Sequence, residues 1–134
     1  MRSTRSGTDR RLDEGGSAVV DFVLVLVILV PLLLGILQVA IVLHVRNTLT
    51  AAASEGARHG ATEDRDPPDG AAYTRRLISE AVDDRYANNV TAHHTSVDGA
   101  NTVEVVVRAE VPALGFWGPA VSLEVEGHAI DEDQ

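Results

Sequence analysis

An apolar run from Phe22 to Leu43 constrains this chain more than any other feature. It reads FVLVLVILVPLLLGILQVAIVL, in which Gln38 is the only strongly polar residue. A helix of this length measures about 33 Å at 1.5 Å per residue, against about 30 Å of bilayer hydrocarbon. The run therefore predicts a transmembrane helix over about residues 22–43. A cleavable signal is the alternative, because the small residues Ala51–Ala53 imitate a cleavage site, but signal cores usually measure only about 7 to 15 residues.

The charges on either side of the run predict its orientation. The formal net charge is −9, and the acidic excess lies beyond the run. Basic residues near a membrane segment stay in the cytoplasm, so we expect the N-terminus inside and the C-terminus outside the cytoplasmic membrane. An acidic exterior makes nucleic acid an unsuitable partner. The basic residues of the leader, residues 1–16, are Arg2, Arg5, Arg10 and Arg11.

The leader shows no apolar periodicity, so we expect residues 1–16 to be disordered. The Ala-rich sequence after the run lacks proline, which predicts one long helix over residues 17–62. A loop follows at 63–70, where Pro67-Pro68-Asp69-Gly70 combines a helix breaker with an N-cap signal.

Residues 71–134 are predicted to form a small α+β domain outside the membrane. Apolar residues at helical spacing predict a short amphipathic helix over 71–86, and alternation with a period of two predicts strands over 90–97, 102–111 and 121–126. Asp98-Gly99 suits a tight turn between the first two strands. The fold class is therefore an α+β membrane protein, with a long transmembrane helix followed by one short helix and a three-stranded antiparallel sheet.

An acidic residue at the start of the apolar run needs an explanation. The chain has Gly16, then Ser17, then Asp21 at the fifth place after the glycine, then Phe22 and the apolar helix. A second distinctive stretch, NTLTAAASEGARHG, covers residues 47–60. Both stretches resemble the TadE-like family, the pilin-like minor proteins of the tight-adherence (Flp) pilus system, whose leaders resemble those of type IV prepilins. That family usually carries Glu and often Tyr at the positions of Asp21 and Phe22.

The resemblance implies processing and assembly. It implies that prepilin peptidase cuts after Gly16, or after Gly15 in the alternative register. The new amine of Ser17 would then pair with Asp21, in the same chain or in a neighbouring subunit. The implied partners are the membrane, prepilin peptidase and other pilin-like or pilus-assembly subunits.

Several other residues leave alternatives open. Ala52, Gly56 and Gly60 form a stripe of small residues for helix packing, against either the chain's own domain or another subunit. Gln38 is either an interhelical hydrogen-bond donor or a hydrated residue near the interface. Phe116 and Trp117 either reach the membrane surface or fill the small core.

The sequence offers little for catalysis or for cofactors. It contains no cysteine, and it shows no nucleophile elbow, phosphate loop, dinucleotide fingerprint or His-Glu-x-x-His pattern. His93 and His94 are adjacent on a predicted strand and point to opposite faces, so they cannot share a metal ion. We therefore expect no enzyme, no catalytic residue, no cofactor, no metal and no small-molecule substrate.

The sequence predicts a pilin-like component of a tight-adherence pilus or a related secretion machine, which acts by helix packing and subunit interaction. Two alternatives stand beside it. One is an uncleaved signal-anchor protein with an extracytoplasmic binding domain. The other is a secreted soluble protein left after signal removal.

Overall fold

The computed structural model describes residues 10–114 and 118–131, with side chains described from Gly15 onward in the first helix. Residues 1–9 of the leader, and Phe116 and Trp117 of the predicted turn, lie outside this range. The described elements are helix α1, Arg10–Gly60; helix α2, Pro67–Ala81; a 3-10 turn, Asp84–Ala87; and strands β1, Val90–Val97, β2, Ala100–Val111, and β3, Val121–Ile130. They confirm the predicted order of a long apolar helix, a short helix and a three-stranded antiparallel sheet.

Helix α1 is one continuous helix of 51 residues and includes Pro31. It begins at Arg10, whereas we expected residues 10–16 to be disordered. Leu, Arg and Glu favour helix, and extending an existing helix avoids the cost of nucleation, so the helix continues into the leader. It ends at Gly60, close to the predicted end at residue 62.

Helix α2 starts and ends about four to five residues earlier than the predicted range of 71–86. Pro67 and Pro68 occupy its first turn, where the missing N–H of proline costs no intrahelical hydrogen bond. The Asp66 N–H donates to Asp69 Oδ2 over 3.3 Å, as in a capping box. The prolines therefore begin the helix instead of only breaking the preceding one.

The three strands form an antiparallel sheet in the order β1-β2-β3. Asp98 and Gly99 adopt positive φ angles of 53° and 85°, and Val97 pairs with Ala100. This is a two-residue turn, which confirms the hairpin predicted from Asp-Gly. On the sheet, the odd-numbered residues of β2 from Val103 to Val111 face the helices, and the even-numbered residues form the outer face.

The core lies between the sheet and the C-terminal half of α1. The described residues divide into two units, one that ends at Leu37 and one that begins at Gln38. The second unit thus begins well before the expected domain at residue 71, because its core needs side chains from α1. The core residues include Val45, Leu49, Ala53 and Ala57 of α1, Ile78 of α2, and Val105, Val107, Val111, Leu123 and Val125 of the sheet.

Candidate functional site

The four residues predicted for processing all lie within α1. Gly16, Ser17, Asp21 and Phe22 are exposed, and a Cβ added at Gly16 would meet no atom within 4 Å. Among the residues whose side chains are described, Asp21 has no hydrogen bond or ion pair. Gly16, Ser17 and Asp21 are therefore free to meet an enzyme or a neighbouring helix.

The apolar segment of α1, residues 18–37, exposes large hydrophobic side chains on every side. Phe22, Leu29 and Leu37 are exposed by 63%, 52% and 45%. Exposing so many large apolar side chains to water is unfavourable, and the described part of the chain does not cover them. By length and composition, α1 is long and apolar enough to cross a membrane.

Gln38, directly after the apolar segment, bonds to the loop that follows β2. Its Nε2 donates to the Pro112 carbonyl oxygen over 3.3 Å, and the Leu114 N–H donates to its Oε1 over 2.7 Å. Both partners are backbone groups more than 70 residues away, so this pairing is not an interhelical hydrogen bond, and a hydrated position near the interface stays a prediction. The amide fixes the loop after β2 to the side of α1.

The small-residue seam, made of Ala52, Gly56 and Gly60, lies against α2. Thr74 Oγ1 donates to the Gly70 carbonyl oxygen over 2.8 Å and approaches the Ala52 carbonyl oxygen at 3.4 Å. A Cβ on Gly56 would come within 1.7 Å of Thr74 Oγ1 and 2.8 Å of the Gly70 oxygen. The described contacts of the seam are therefore with the chain's own domain, and a contact with another subunit stays a prediction.

His59, in the last turn of α1, contacts one aromatic and one cationic side chain. Its ring stacks on Tyr73 with the centroids 4.1 Å apart, and Arg65 donates to its Nδ1. Burial lowers the pKa of His59 below its ordinary value of 6.5, and the positive charge of Arg65 lowers this pKa further. The contact with Arg65 favours the neutral imidazole, because a protonated Nδ1 could not accept from a guanidinium.

These features define a class of protein: a chain with one helix apolar enough to span a membrane, whose C-terminal half completes the core of a small α+β domain. Residues 16–58 match the sequence model of the family described as TadE, TadE-like protein. The match confirms the resemblance predicted from Gly16, Asp21 and the stretch over residues 47–60. The matched residues include the apolar segment, Gln38 and most of the seam, and they end before Gly60 and the sheet.

No curated protein and no solved structure matches the chain.

Proposed function

We propose that this protein is a pilin-like component of a tight-adherence pilus assembly or a related secretion machine. One observation carries the proposal. The segment that matches the TadE-like family contains an apolar helix exposed on every side, with a single acidic side chain near its start. Such a surface binds lipid or other helices, so the protein works by helix packing and not by catalysis.

The hydrogen bonds of Gln38 support a position for the membrane. Backbone loops exposed to lipid do not occur in bilayer hydrocarbon, so the outer hydrocarbon edge falls near Leu37. About 30 Å of hydrocarbon accommodates about 20 helical residues, which puts the inner edge near Ala18. This position would place the membrane-spanning range closer to the N-terminus than the 22–43 read from the sequence, with Asp21 about one turn inside the hydrocarbon.

A neutralising partner would stabilise Asp21 at this depth. An ionised Asp costs about 3 kcal/mol at the centre of a membrane helix on insertion scales. Cleavage after Gly16 supplies a positively charged amine on Ser17, four residues before Asp21 and therefore on the same side of the helix. Asp21 pairs with this amine, in its own chain or in a neighbouring subunit, and thereby guides the docking of one helix on another.

The two glycines before Ser17 make cleavage feasible. A peptidase needs its substrate locally unwound, and α1 runs through Gly15 and Gly16 as helix. Each glycine is less favourable in a helix than alanine by about 1 kcal/mol, so the helix opens most easily at this pair. With the arginine-bearing leader inside, the site faces the cytoplasm, where prepilin peptidase acts on prepilins, and the domain from Gln38 onward faces outward.

Intact-mass spectrometry of the protein extracted from membranes tests the processing. We expect a mature N-terminus at Ser17; a start at Gly16 would shift the cleavage register by one residue. A chain that retains Met1 would instead support the uncleaved signal anchor. A product in the medium that starts near residue 54 would support the secreted protein.

The assembly role has its own test. We expect Asp21→Ala to reduce the entry of the protein into the assembled complex, measured by co-purification with the other subunits, and Asp21→Glu to preserve it. Asp13→Ala is the matched control, since it removes an acid from the part of the chain that is cleaved away. Normal entry of Asp21→Ala would refute the role of this carboxylate.

A further inference from the structure

The outer face of the sheet carries a row of histidine and glutamate side chains. In the strand register, His93 of β1 lies opposite Glu104 of β2, and Glu104 lies opposite His128 of β3. The three side chains belong to three strands, and they stand on the face turned away from the helices. His94, the neighbour of His93, lies opposite Val103 and therefore alternates to the other face of the sheet.

Glu104 lies at the centre of this row and contacts both imidazoles. Its Oε2 is 2.9 Å from His93 Nε2, and its Oε1 is 3.2 Å from His128 Nε2. The Glu104 side chain is only 16% exposed, whereas the histidine side chains are 54% and 42% exposed. The carboxylate is therefore held in place, and the imidazoles above it are free to adjust.

Glu126 adds a second carboxylate to the same place. It lies two residues before His128 on β3 and thus on the same face. Glu104, Glu126 and His128 each offer a ligand atom, and these atoms lie within 4.8 Å of one another. Tetrahedral ligands about 2.0 to 2.2 Å from a zinc ion stand about 3.4 Å apart, so small rotations of exposed side chains bring the three to one ion.

We propose that Glu104, Glu126 and His128 bind a divalent transition-metal ion such as Zn²⁺, with His93 next to the site through its contact with Glu104. The two carboxylates repel each other while the imidazoles are neutral, and a divalent cation between them removes this repulsion. Imidazole nitrogen together with carboxylate oxygen favours zinc and its neighbours over Mg²⁺ and Ca²⁺, which prefer oxygen ligands alone. The site belongs to the sheet, outside the segment that matches the TadE-like family.

The sequence alone does not bring these side chains together. His93, Glu104 and His128 are separated by 11 and 24 positions in the chain, and they meet only through the register of both strand pairs. The available signal was the alternation of β2 and β3, which puts Glu104, Glu126 and His128 on polar, outward positions. Without the register, their alignment could not be derived.

Isothermal titration of the full chain in mild detergent, purified without a histidine tag, tests the proposal with ZnCl₂ and with MgCl₂. We expect one zinc ion per chain and no response to magnesium. His128→Ala and Glu104→Gln should each weaken zinc binding by at least about tenfold, the lower end of the loss seen when even an outer-shell partner is removed. His94→Ala is the matched control, since His94 is as exposed as His93 but lies in the other set of the alternation.

A second measurement separates a lost ligand from a misfolded domain. Histidine resonances in a ¹H–¹⁵N spectrum should shift with zinc at His93 and His128 but not at His94, and Glu126→Gln should weaken binding while the spectrum of the fold is retained. An absence of zinc uptake by the wild-type chain would overturn the proposal. An equal loss in the His94→Ala variant would do the same.

Discussion

Gly56→Ala gives opposite results for the two possible uses of the small-residue seam. In a helix interior, alanine is more favourable than glycine by about 1 kcal/mol. If the seam served only another subunit, the isolated chain would therefore gain stability from this change. If it packs α2 of the same chain, the new methyl group meets Thr74 and the isolated chain loses stability.

The structure gives the size of that loss. The added Cβ would fall 1.7 Å from Thr74 Oγ1, so the threonine must move and break its 2.8 Å hydrogen bond to Gly70. Overpacking costs about 1 to 3 kcal/mol and the hydrogen bond about 1 kcal/mol. Set against the helix-propensity gain, the net destabilisation is about 1 to 3 kcal/mol. For a domain of this size, each kcal/mol lowers Tm by about 4 to 8 °C.

Urea-dependent pulse proteolysis of the full chain in mild detergent measures this change. Gly35→Ala is the control, because a Cβ there meets nothing within 4 Å. Combining Gly56→Ala with Thr74→Ala should cost less than the sum of the single changes, since the clash is shared. A Gly56→Ala domain that is more stable than wild type by about 1 kcal/mol would refute the intrachain packing.

Two further predictions concern polar contacts. Gln38→Leu removes both hydrogen bonds to the loop after β2, so limited proteolysis should cut near Leu114 faster than in wild type, and unchanged cleavage would contradict this anchoring role. The pKa of His59 is lowered in the folded chain by burial and then by the charge of Arg65. As the pH falls through about 6.5, the unfolded chain therefore binds a proton at His59 before the folded chain does, so the stability of the domain decreases on acidification. A histidine NMR titration should give His59 a midpoint below 6.5 that rises in Arg65→Ala and not in Arg58→Ala; a midpoint unaffected by Arg65→Ala would exclude this cause.

Local patterns in the sequence predicted much of the fold. The apolar run predicted the membrane-competent part of α1, the alternation over residues 102–111 predicted β2, and Asp98-Gly99 predicted the tight turn. Each of these features is decided by residues close together in the chain. The start of α1 was missed because helix propagation from the apolar segment overrode the disorder expected from a polar leader.

Long-range contacts could not be predicted in the same way. The carboxylate and glycines of the processing region were visible as a motif, and their roles stay predictions. The partner of Gln38 is loop backbone, which no side-chain pattern specifies. The packing of Gly56 against Thr74 depends on how α2 returns along α1, and sequence spacing leaves this open.

Because the apolar segment and part of the core share α1, this part of the core is synthesised first. Val45, Leu49 and Ala53 leave the ribosome before any strand, on the same helix as the hydrophobic stretch that precedes them. The helical part of the hydrophobic core is therefore synthesised before every strand that packs on it. A recombinant fragment that starts at residue 63 would lack the five core residues that α1 supplies, a third of the hydrophobic core, whereas one that starts at Gln38 retains them.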